Sequence, residues 1–214
     1  MTAPQHYQLS DTSYVLPTPA GAYFCVSANS DVPARKVLRA LFKQDEIAVL
    51  NTELLKQWSG LTADNEALEL IYRMQSLGWL EGVQNKQQAP KGSLEILLPE
   101  ILLGLSESGN ILLADEQGFY LSAQGFPHET AEQLSALSAD LFSLYGRHQG
   151  LLKNNLSLET SAWSVVDAAG NGQVGFWPLW IGEHHFVLVI KGVPLLNKPA
   201  LIKLIWILSI RYGD

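Results

Sequence analysis

The chain has 214 residues, with 14 Lys and Arg against 21 Asp and Glu, so its formal charge is −7. At roughly 150 residues per domain this length suits two compact modules, or one module and an arm, and the negative balance excludes a generic nucleic-acid binder held by a positive field. Charged residues are 16% and apolar residues 47%, against about 25% charged in ordinary soluble domains, which points to apolar surface covered in an oligomer.

The opening MTAPQHYQLS lacks the basic-then-apolar run of a secretory leader, so the expected compartment is the cytoplasm. Residues 1–30 hold Pro4, Pro17, Pro19 and Gly21 around one apolar burst, Tyr23, Phe24, Cys25 and Val26. This reads as an N-terminal arm with a short strand. Cys25 is the one cysteine, which excludes an internal disulfide. Ser30 or Asp31 ahead of Pro33 is a helix start, and Val37, Leu38, Leu41 and Phe42 keep helical spacing to about Gln44. A short helix from Thr52 to about Ser59 and a third from Thr62 or Asp64, with Leu68, Ile71, Met74 and Leu77 on one face, end at Gly78. Trp79 and Leu80 then open a strand. Three short helices and a strand predict a winged-helix-like domain over residues 31–92. The polar run 85–92 offers little to a core beyond Ala89 and Pro90 and reads as wing and linker.

Residues 94–105 are apolar at most positions, but Pro99 lacks the N–H that would bond the carbonyl of Glu95, so a helix there should start late or kink. Residues 111–114 and 119–123 flank Asp115, Glu116, Gln117 and Gly118 as a hairpin. A long helix is predicted over 129–148, three strands over 162–167, 173–181 and 186–190, and a last helix capped at Asn197 with Pro199 in its first turn. That helix is apolar on nearly every side, so it should be buried on two sides, under the N-terminal module or at a subunit contact.

The order helix, two strands, helix, three strands, helix, with LADEQGFYLSAQGF over 113–126 and ETAEQLSALSADLFSLY after it, resembles the roadblock (dynein light chain) family. The likeness covers residues 93–214. It implies an α+β fold with a five-stranded antiparallel, profilin-like sheet flanked by helices, a homodimer or heterodimer, and a platform for small Ras-like GTPases or motor complexes. Some bacterial relatives act as GTPase-activating partners. Pro99 and the module ahead of it depart from single-domain members.

In the long helix Leu134, Leu137, Leu141 and Leu144 form a stripe suited to covering the sheet. Small side chains spread over the rest and permit a close second helix, so Ser135, Ala136, Ser138, Ala139, Phe142 and Ser143 are the candidate dimer interface. The other reading is a solvent face of weak polarity.

Gly170, Gly172 and Gly175 match G-x-G-x-x-G, but Phe176, Trp177, Pro178, Leu179 and Trp180 follow with strand composition where a dinucleotide site needs a helix. A hairpin is expected. His184 and His185 are adjacent and would face opposite sides of a strand, and His6, His128 and His148 stand alone, so no metal site is expected. Asp115 and Glu116 belong to a turn. No nucleophile elbow or phosphate loop is present, and neither catalytic residues nor a cofactor are expected. On the presumed recognition helix Asp64, Glu66 and Glu69 would repel DNA, relieved only by Arg73, which Glu69 can pair with, while Arg35, Lys36, Arg39 and Lys43 form a basic stripe on the first helix. The function expected is a non-enzymatic, cytoplasmic, dimeric interaction protein binding a small Ras-like GTPase or another regulatory protein. The alternative is a winged-helix transcriptional regulator dimerised by its roadblock-like domain. DNA and membrane are not expected as partners, and Arg147 and Arg211 are the arginines of the second module.

Overall fold

A computed structural model describes residue 9 and residues 13–213. Strand β1 (Tyr14–Pro17) is followed at once by helix α1 (Pro19–Val26). The strand expected at residues 23–26 is therefore helix, and the strand lies a segment earlier. The reason is a strong start signal: the Thr18 hydroxyl accepts from the Gly21 N–H at 3.1 Å, with Pro19 in the first turn. This outweighs the strand preference of Tyr23, Phe24 and Val26. Residues 13–26 are therefore no loose arm, since Val15, Leu16, Ala22, Cys25 and Val26 are buried in the core; Pro4 and His6 lie outside the described residues.

Helices α2 (Pro33–Phe42), α3 (Thr52–Ser59) and α4 (Asp64–Ser76) stand where apolar periodicity put them, with Val37, Leu38, Leu55, Ala67, Ile71 and Met74 buried. Asn51 caps α3 by accepting from the Leu54 N–H at 2.9 Å, and Gly60 ends it in the left-handed conformation, φ +76°. The expected cap of α2 is absent. Val32 holds that position, and Asp31 pairs with Arg39 at 3.0 Å.

Strand β2 (Leu80–Val83) runs antiparallel to β1, with Tyr14 opposite Val83 and Pro17 opposite Leu80. Residues 85–92 do not form a free linker. Ile47 N–H donates to the Gln87 carbonyl at 3.0 Å, Ala89 N–H to that of Asp45 at 2.9 Å, and Ala89 is buried. Backbone pairing holds this run whatever its side chains, so its polar composition did not reveal the attachment.

Helix α5 (Leu94–Leu103) begins ahead of Pro99 and runs through it, which excludes the late start among the two expected outcomes. Then come β3 (Ile111–Asp115), β4 (Tyr120–Gln124), α6 (His128–Gly150) with a π-helical turn over Leu151–Asn155, β5 (Trp163–Val166), β6 (Gly172–Ile181), β7 (His184–Lys191) and α7 (Pro199–Tyr212). The five strands form one antiparallel sheet in the order β4-β3-β7-β6-β5. The fold is α+β.

Strand alternation divides the sheet's two faces. Ile111 and Leu113 of β3, Leu179 and Ile181 of β6, and Phe186, Leu188 and Ile190 of β7 join α5 and α7 in one core. Leu112, Ala114, Phe176, Val187 and Val189 face the other way, against Ala131, Leu134 and Leu141 of α6. The first core does not stop at the sheet. It continues through α7 into Ala22, Cys25, Val26, Leu38 and Phe42, and Trp206 of α7 donates its indole N–H to the Gln44 carbonyl at 2.7 Å. Thus α7 is buried on two sides, with the N-terminal helices as the second cover.

Candidate functional site

The long helix α6 is the main candidate for a contact between subunits, and the chain uses part of that surface itself. Ser135 and Ser138 are fully buried. Their hydroxyls donate to the carbonyls of Ala131 and Leu134, one turn back, at 2.8 and 2.7 Å, so no polar group is left unsatisfied. Small side chains here let the α6 backbone approach the hairpin turn: a Cβ added to Gly118 would lie 3.3 Å from the Ala136 Cα and 3.5 Å from the Ala139 Cβ. Leu137, assigned from periodicity to the sheet face, is instead 41% exposed. Ala136 and Ser143 are exposed, and Ala139 and Phe142 are half-buried. Leucine spacing located the helix, but not which of its sides the serines took.

Phe142 is occupied within the chain. Its ring stacks on that of His185, with centroids 3.6 Å apart and planes 11° apart, and leans on Trp180 at 5.6 Å. His184 points to the opposite side, edge-on to Tyr212 of α7 at 5.5 Å, as alternation requires. Glu116 nevertheless serves both imidazoles, with one carboxylate oxygen 3.4 Å from His185 Nδ1 and the other 3.8 Å from His184 Nδ1. Burial holds the His185 pKa below its ordinary value, partly opposed by the nearby Glu116 carboxylate. Asp115 has a turn role, its Oδ1 accepting from the N–H groups of Gln117 and Phe119 at 3.0 and 2.9 Å. The grouping of Glu116 with the two histidines was missed, because the carboxylate arrives from another hairpin. Among the described residues no cluster has the make-up of a metal site. His128 does not stand alone, since its Nδ1 lies 2.7 Å from the Tyr120 hydroxyl.

Of the three glycines of the G-x-G-x-x-G run, Gly170 lies in a turn. Asp167 Oδ1 accepts from the N–H groups of Ala169 and Asn171, both at 2.9 Å, and Gly172 and Gly175 are already in β6, paired with β5. No helix N-terminus is offered to a pyrophosphate.

Two of the four cations of the basic stripe on α2 are taken up by the fold. Arg35 is buried, with its guanidinium 4.4 Å from the centre of the Phe24 ring and its Nε donating to the Phe24 carbonyl at 3.1 Å. Arg39 is taken up by Asp31 and by Asn29 at 3.1 Å. The stripe is thereby reduced to half-buried Lys36 and exposed Lys43. On α4, Glu69 and Arg73 do not form the ion pair that their spacing allows, among the described residues, whereas Asp64 bonds Lys56 at 2.8 Å.

No protein-family model and no curated protein matches the chain. Solved structures similar to it include a roadblock/LC7 domain from Streptomyces avermitilis, at 14% identity, 56% of this chain and 93% of that one. The gliding protein MglB of Thermus thermophilus is similar at 21% identity over 58% and 94%, and MglB of Myxococcus xanthus at 15% over 57% and 92%. Each has a TM-score of 0.36. No helix among the described residues is long and apolar enough to cross a membrane.

Proposed function

We propose that the chain is a non-enzymatic, cytoplasmic, dimeric regulatory platform for a small Ras-like GTPase or another regulatory protein, with a winged-helix-like domain over residues 31–92 and a roadblock-like domain over 93–214. The observation that carries the reading is the strand order β4-β3-β7-β6-β5 with α6 on one face and α5 and α7 on the other. This is the architecture the family resemblance implies. In the dimer the contact uses the side of α6 left free by the sheet, Ala136, Leu137, Ala139 and Ser143. Ser135 and Ser138 drop out because they are buried, and Phe142 because its ring is taken up by His185 and Trp180. The edge strand β5, with exposed Val165 and Val166, extends the same apolar supply. Regulatory use of the N-terminal domain through DNA finds no support, since Arg35 and Arg39 already serve the fold.

Sedimentation of the full chain and of Leu137→Arg tests the dimer. The parent is expected to be dimeric at tens of micromolar, on the order of weak-dimer affinities, and the variant monomeric; a monomeric parent overturns the reading. Partner choice is tested by binding to a panel of small Ras-like GTPases loaded with a GTP analogue, and absence of binding to all of them removes the GTPase from the proposal. Arg147 and Arg211 lie in helices, both exposed. Any stimulation of hydrolysis should therefore survive Arg147→Ala and Arg211→Ala, because it works by ordering the GTPase's own residues. A loss of ~10³-fold in either variant would make that arginine a catalytic finger.

A further inference from the structure

A groove of about 600 Å³ lies on the N-terminal helices, away from α6 and the sheet, within the size range of clefts that seat ligands. Its floor is apolar: Met74 and Leu70 of α4, backed by the rings of Phe24 and Trp79, which stack with centroids 3.9 Å apart and planes 14° apart. That aromatic wall is fixed before anything binds. The Arg35 guanidinium lies over the far side of Phe24 and is held by the Phe24 and Ser30 carbonyls at 3.1 and 3.3 Å. A preformed wall spares a ligand the ordering cost that mobile side chains would impose.

The rim carries the discriminating chemistry. Glu66 and Glu69 are exposed, line the groove and form no ion pair among the described residues, although Asp64 beside them and Asp31 across the module are each held by a cation. Arg73 follows a turn later, with no ion pair among the described residues, and Leu77, 57% exposed, closes the same side of α4. Carboxylates at one end of an apolar trough and a guanidinium further along call for a segment with the reverse order of charge. Phosphate backbones would meet Glu66 and Glu69 first and are disfavoured.

We propose that this groove docks a short amphipathic helix of a partner protein. Its large apolar side chains, spaced three to four residues apart, occupy the trough over Met74 and Leu70, and Lys or Arg on its flank meets Glu66 and Glu69. This is the helix-in-groove mode of recognition. The inference is independent of the dimer and of the GTPase reading, because it uses none of their residues.

The test is selection of 16-residue peptides from a displayed random library against the full chain, followed by titration of the enriched peptides by fluorescence anisotropy. The expected winners carry Leu, Ile, Phe or Met at helical spacing with Lys or Arg on one flank. They should lose affinity about tenfold or more against Glu66→Lys/Glu69→Lys, as expected for reversed charge at a complementary rim, and should fail against Leu70→Asp. The charge variants lie on the surface, and circular dichroism and melting confirm that they fold. No enrichment, enrichment of acidic sequences, or winners that bind the charge-reversed variant unchanged would overturn the proposal. Salt-sensitive duplex DNA binding lost in the Leu70→Asp variant would overturn it as well, in favour of nucleic acid.

Discussion

Cys25 sits in α1 almost fully buried, and burial pushes its thiol up to about 12, with Arg39 and Arg35 only partly opposing. The thiolate is the reactive form, so the folded protein should react with an aromatic disulfide reagent no faster than it opens, and rapidly in denaturant. Fast labelling of native protein would contradict the packing of α1 under α7. His185 makes a second residue-scale prediction. Its folded pKa lies below the ordinary value near 6.5, so near and below that pH the unfolded chain binds the proton that the folded one resists. Stability is complete above about pH 6.5 and declines as pH falls towards the lower folded value. The melting temperature should drop less between pH 7.5 and 5.5 in His185→Phe, which keeps a ring on Phe142, than in the parent. Equal slopes would remove His185 from the account. The opposed directions of His184 and His185 were legible from strand alternation. Glu116 between them was not, since pairing of β3 with β7 brings it there, and pairing is a long-range fact.

At the level of elements, turn and helix signals held at the Asp115–Gly118 turn, at the span of α3 and at the positions of β5, β6 and β7, while the Thr18-Pro19 start of α1 and the cap of α2 were misread. They failed where a close approach decided the outcome. Ser135 and Ser138 lie inside because a helix that rides near a hairpin turn needs small inward residues, and hydroxyls bonded to their own helix behave as small fillers. Ser138→Leu should therefore cost ~1–3 kcal/mol through overpacking, while Ala136→Leu should be near neutral in a urea melt of the monomer. Gly21 is a parallel case in α1. A Cβ there would strike the Trp79 carbonyl, a backbone atom that cannot rotate aside. Gly21→Ala gains ~1 kcal/mol of helix propensity and should still lower the denaturation midpoint, because separating α1 from the β2 entry costs more.

On the scale of the whole molecule, the composition of residues 85–92 marks a boundary in the chain, and the apolar core continues across it. One apolar core runs from Val15 to Leu208, and α7 is part of both the sheet's cover and the N-terminal helices' cover. The all-round apolar character of α7 was legible in sequence and implied two covers. The choice between the N-terminal module and a second subunit as the further cover was not, because it depends on where a distant segment folds back. An isolated fragment 93–214 would expose the α7 side that now meets α1 and α2. It should bind a hydrophobic dye and lose the sharp melt of the full chain, whereas the full chain should give one cooperative transition. A fragment that melts as sharply as the parent would show that the two parts are energetically separate.

The bond from Trp206 to Gln44 spans 162 residues. At translation rates of about 5–20 residues per second, the helices α1 and α2 emerge roughly 10 to 30 seconds before the segment that seals them exists. Throughout that interval Cys25, Val26 and Phe42 lack their final neighbour, and the nascent N-terminal segment presents an open apolar seam to the cell. Its vulnerability to aggregation is thus set by the speed of synthesis as well as by the stability of the finished fold, and slowing elongation between β2 and α7 should increase the demand for chaperones.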